Sequence, residues 1–139
     1  MAIKNYTSNV DAYTSLGEIQ GALARMGAAQ VMTEYENGVP AAVSFAIHTA
    51  AGTRGFRLPA PIDGTLRVFA KQRIKGDRAQ AERTAWRNVR DWVLAQIALV
   101  ESCDVPVDEV FLPYVTDRSG RTLYHAYASG QLALEAGTP

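Results

Sequence analysis

The stretch "AAQVMTEYENGVPAAVSFAIHTAAGTRGFRLPA", Ala28 to Ala60, decides the fold. Asn37 and Gly38 sit between two runs rich in β-favouring residues, and an Asn-Gly pair accepts the positive φ of a tight hairpin turn. A second turn around Ala51 and Gly52 leads into a third run, which Pro59 ends. Three antiparallel strands in a meander follow. In the middle run Val43, Phe45 and Ile47 alternate with Ala42, Ser44, Ala46 and His48, so one face is heavy and the other small and polar. The heavy face should meet helices.

Helical periodicity supplies them on both sides. Upstream, Ser15 with Glu18 three residues later forms a capping box, Leu16, Ile19, Leu23 and Met26 share one face, and Gly27 ends the helix in a left-handed conformation. The first helix is therefore predicted over Leu16 to Met26. Before it, "IKNYTSNV" alternates like an edge strand or an extended arm. Downstream, "PIDGTLRVFAKQRI" spaces Ile62, Leu66, Phe69 and Ile74 for a second helix that Gly76 and Asp77 stop. The stretch "RAQAERTAWRNVRDWVLAQIALVE", Arg78 to Glu101, then carries Val89, Trp92, Val93, Gln96, Ile97 and Val100 at helical spacing, with Ala85 and Trp86 one turn earlier. This is the longest helix, expected to give the core its largest slab. Pro106 and Pro113 bracket the apolar run "VDEVFL", "TDRSGRTLYHAYASGQL" reads as a turn and then a strand or short helix, and "EAGTP" reads as a frayed tail. The prediction is an α+β fold, an antiparallel meander packed against a long helix in the C-terminal half and shorter helices, in a single domain over residues 1–139.

Composition narrows the function classes. The chain has 14 basic and 14 acidic residues and no net charge, so no overall field draws in a nucleic-acid polymer. Cys103, the only cysteine, rules out an internal disulfide and a cysteine zinc cluster, and beside Asp104 it reads as passive. No window approaches the roughly 18 apolar residues of a membrane span, and the first residues lack a signal peptide's apolar stretch. A soluble, non-exported protein of a cytoplasm is expected, without a membrane partner.

His48 and His125 have no acidic or cysteine neighbour at a ligand spacing and read as structural or surface histidines, so no metal site is expected. No nucleophile elbow, phosphate-binding glycine loop or paired carboxylates point to catalysis. The arginines are more informative. Arg67, Lys71, Arg73, Lys75, Arg78, Arg83, Arg87 and Arg90 crowd one stretch, either as the solvated backs of two helices or as guanidinium forks for phosphate. Arg54 and Arg57 flank Phe56 on the third strand, where alternation sends Arg57 and Phe56 to opposite faces unless Gly55 bulges. Arg57 reads as an anion ligand or as a charge guarding a strand edge. Trp86 and Trp92, six residues apart, cannot share one core line. Trp92 is taken as the core residue, and Arg83, Trp86, Arg87 and Asn88 as the part of the helix that touches a ligand.

The ordered set "IKNYTSNV", "EIQGALARMGA", "FRLPA", "AERTAWRNVRDWVLAQIALVE" and "EVFLPYV" resembles the anti-Thoeris family of signal-sequestering phage proteins, over most of the chain up to about Val115. The resemblance implies a protein of the infected host's cytoplasm that binds cyclic nucleotide immune messengers, such as cyclic ADP-ribose isomers or cyclic trinucleotides. It would hold them without cleaving them, needing no catalytic residue or cofactor. It implies a homo-oligomer, a dimer or a hexamer, with pockets between subunits. Carried onto this sequence, it assigns Arg25, Arg57, Arg118 and Arg121 to phosphate, and Phe69, Trp86 and Asn88 to adenine. The alternatives are a phage or mobile-element assembly protein with no small-molecule ligand, and a DNA-binding regulator using the Arg78 to Arg90 segment.

Overall fold

A computed structural model describes residues 1–132 and 134; the "EAGTP" tail lies outside the described residues. The meander is present as β1 (Gln30–Glu36), β2 (Val39–Thr49) and β3 (Gly52–Pro59), antiparallel in the order β1-β2-β3. Glu36 pairs with Val39 across the Asn37-Gly38 turn, where both turn residues have positive φ. One irregularity follows. Tyr35 pairs with Pro40 but Glu34 with Ala42, so Ala41 is an extra residue on β2. Proline lacks the N–H a ladder needs, and a bulge beside Pro40 accommodates it. From there Val31 faces Phe45 and Phe56, while Met32, Ser44 and Arg57 line up on the opposite face.

The heavy face does meet the helices. Val43, Phe45, Ile47, Phe56 and Leu58 are buried with Leu16, Ile19 and Leu23 of α1 (Ala12–Arg25) and with Trp86 and Val93 of α3 (Arg78–Cys103). Phe45 stacks on Phe56 at 5.1 Å and meets Phe111 edge-on at 5.4 Å. Phe111 arrives from the segment of α4 (Val107–Val110) and a 3-10 turn (Leu112–Tyr114). A second cluster joins Ile62 and Phe69 of α2 (Ile62–Lys71) to Ala81 and Ala85 of α3, whose small side chains let the two helices approach closely. The chain ends its described course in a turn at Asp117 to Arg121 and in α5 (Leu123–Ala128).

Three expectations about boundaries and core need correction. Helix α1 starts at Ala12, not Leu16, because Asp11 accepts from the Tyr13 N–H and is the cap; Ser15 is instead fully buried. Gly27 does adopt the left-handed conformation, at φ 107°. Helix α2 ends at Lys71 with Arg73 in the left-handed region, and Asp77 caps the start of α3 by accepting from the Gln80 N–H. Gly76 is needed for space, since an added Cβ would lie 2.7 Å from the Phe69 ring. The buried line of α3 lies in its first half, at Ala81, Thr84, Ala85 and Trp86 with Val93 after it, while Trp92 is half-buried. Of the two readings of "IKNYTSNV", the structure shows the arm, folded along α3.

Candidate functional site

The small polar face of the sheet lies on the side away from the hydrophobic core. Its charged centre is Arg57 on β3, opposite Ser44 on β2. Arg57 Nε donates to both oxygens of Glu34, at 2.9 and 3.2 Å, and Ser44 Oγ donates to Glu34 at 2.9 Å. Both charged side chains are 37% exposed, so the pair is neither sealed nor fully solvated. The terminal nitrogens of Arg57 make no hydrogen bond among the described residues, which leaves that edge of the fork available.

Arg57 borders three clefts. The largest, about 510 Å³, lies on the sheet face between Gln30, Met32, Glu34 and Ser44 and the Ser119-Gly120 turn. That turn is held against β3 by the Thr116 N–H, which donates to the Gly55 carbonyl at 2.8 Å, and is braced by Asp117, whose carboxylate accepts from Ser119 and Arg121. Hydrogen bonds from Ser119, then from the Arg121 backbone, hold the Asp117 carboxyl below its ordinary range. A second cleft of about 180 Å³ reaches toward Asp63 and Arg78. The third, about 380 Å³, runs past Pro59 to Tyr114 and Tyr124, and through Pro59 and Tyr114 it adjoins an apolar slot of about 340 Å³ lined by Pro61, Asn88, Val89 and Trp92. A guanidinium and an aromatic slot thus lie side by side.

Of the residues expected at a site, Arg57 and Asn88 border these clefts. Asn88 donates to the Lys4 carbonyl and accepts from Asn5, so the arm holds its amide in place. Arg25 is exposed at the end of α1, and Arg118 and Arg121 are exposed on the turn beside the sheet-face cleft; none of the three lines it. Trp86 and Phe69 require correction. Trp86 is completely buried with its indole N–H donating to the Pro40 carbonyl at 3.0 Å, and Phe69 is sealed between α2 and α3, so neither ring offers a face to a base. The partly open tryptophan is Trp92, edge-on to Phe111 and Tyr114 at 5.6 and 5.4 Å.

The arginines of α3 are engaged internally. Arg78 pairs with Asp63, Arg83 bonds Gln80 and the Ser8 carbonyl, Arg87 reaches Glu18 and Ser15, and Arg90 reaches Glu18 and Asp91. They tie α3 to α1, α2 and the arm. Glu34, Ser44, Tyr114 and Tyr124 were not expected at the site. Glu34 and Ser44 could be found only from the bulged register, and the two tyrosines only from the fold of the segment after Pro113 over β3. No family model, curated protein or solved structure matches the chain.

Proposed function

We propose that the chain sequesters a cyclic nucleotide messenger, a cyclic ADP-ribose isomer or related cyclic nucleotide, and withdraws it from bacterial antiphage signalling without cleaving it. The observation that carries this reading is Arg57, anchored through Nε to Glu34 with its terminal edge directed away from that bond, at the meeting point of three clefts. A guanidinium fixed in this way suits a phosphate, because its planar donor pair matches two phosphate oxygens. The neighbouring slot of Trp92, Tyr114 and Pro61 suits a flat base, replacing Trp86 and Phe69 in that role. Glu34 is committed to Arg57 and Ser44, which fits retention better than proton transfer. A second copy of the chain over the open sheet face would enclose the ligand and slow its release.

Purified protein mixed with a cyclic ADP-ribose isomer should deplete it from solution and return it intact after heating. Unchanged free ligand at micromolar protein overturns the proposal. Arg57→Ala should lower retention while circular dichroism and assembly stay as in the unaltered chain. A second reading, an assembly protein of a phage or mobile element with no small ligand, is supported by the exposed Ala95, Ala98 and Leu99 on the far half of α3. Self-association without ligand depletion would select it.

A further inference from the structure

The sheet face presents an acid and a base together. We propose that Glu34 is the specificity-determining residue of the Arg57 site, making it select a phosphate that carries a sugar hydroxyl beside it over a bare phosphate. This rests on the reading of Arg57 as a phosphate ligand and adds what distinguishes one phosphate compound from another. Glu34 Oε2 takes the hydrogen bonds of Ser44 Oγ and Arg57 Nε at 2.9 Å each, while Oε1 takes only the longer Arg57 contact at 3.2 Å. A carboxylate oxygen has two lone-pair positions, so Oε1 retains accepting capacity, and Glu34 lines the same cleft as Arg57.

The chemistry then discriminates in both directions. A bare phosphate that docks on the terminal nitrogens of Arg57 brings like charge beside Glu34 and can answer it only with a P–OH on the same phosphorus that Arg57 holds. A ribose phosphate brings a hydroxyl that donates to Glu34 while its phosphate takes Arg57, so both charges are answered. Ser44 keeps the carboxylate in place from the other side, which limits the side-chain ordering that binding would otherwise require. Gln30, exposed on the same cleft wall, adds an amide for further hydroxyls.

The test is titration calorimetry of the full chain with two probes, inorganic phosphate and ribose 5-phosphate. The unaltered protein should prefer ribose 5-phosphate by about tenfold or more, as one charge-assisted hydrogen bond allows. Glu34→Gln should shrink that preference to about threefold or less and raise the affinity for inorganic phosphate, since Arg57 is then no longer neutralised. Ser44→Ala, which leaves both charges in place, should reduce the preference part of the way. Equal binding of the two probes by the unaltered protein, binding of neither, or an undiminished preference in a folded Glu34→Gln chain overturns the inference. Retention of cyclic ADP-ribose isomers is measured alongside. Retention with a Glu34-independent preference sinks this inference and leaves the sequestration reading standing; a Glu34-dependent preference without retention does the reverse.

Discussion

Trp86 anchors the long helix to the sheet through its indole. Its ring fills the core beneath β2, and its N–H answers a carbonyl of the bulged segment at Pro40. Trp86→Ala should cost about 3–5 kcal/mol by denaturant unfolding, from lost burial and the cavity left behind. Trp92→Ala, at a half-buried position, should cost clearly less; the opposite order would show that Trp92 is the core tryptophan. Asp91 contributes to acid behaviour. Partial burial alone would raise its pKa, but hydrogen bonds from Lys4, Asn5 and Arg90 outweigh that and hold it at about 2, against an ordinary 3.8. The folded state therefore binds its proton more weakly than the unfolded chain does. The resulting stability is fully present above about pH 4 and is lost as pH falls through about 2. Asp91→Asn should flatten the acid-unfolding curve in that interval, and an unchanged slope would remove Asp91 from the account.

Among the elements, the arm is the one that the sequence left between two readings. Residues 1–10 have an alternating pattern, yet Asn5 takes φ 64° and turns the chain back along α3. There the Asn5 carbonyl accepts from Thr84, and its amide donates to Asn88 and Asp91. Asparagine tolerates the left-handed region and a β-branched residue does not. Asn5→Val should thus destabilise by about 2–4 kcal/mol from strain and lost hydrogen bonds, read as a lower denaturation midpoint. Asn5→Gly should recover the strain part alone. The strands and the long helix were legible because alternation and helical spacing persist across many residues: Val43, Phe45 and Ile47 face inward as their spacing implies. What could not be read was where one pattern hands over to another. Ser15 and Glu18 imitate a helix start, but Asp11 supplies the cap, and the two residues serve instead as partners for Arg87. The apolar spacing after Val89 suggested a core line, whereas the tightest burial falls where alanines make room. At the candidate site Arg57 stood out by residue type, while Glu34 needed a register and Tyr114 a tertiary contact.

On the scale of the whole molecule, the charge of the long helix is balanced internally. The four arginines of the first half of α3 all have protein partners, and the chain as a whole is neutral. Binding to duplex DNA should accordingly be negligible at low salt and show no salt slope. A steep loss of binding between low and moderate salt, in a fluorescence anisotropy titration, would restore the regulator reading. The site also depends on a count. Because β-strand side chains alternate with period two, the extra residue at Ala41 settles which half of β1 looks outward. With one residue fewer in the hairpin, Met32 and Glu34 would turn under α1 while Val31 and Thr33 met the water. The outer face is thus a matter of parity: a chain of nearly the same composition, one residue out of step, would carry the same arginine and the same glutamate on opposite sides of a sheet.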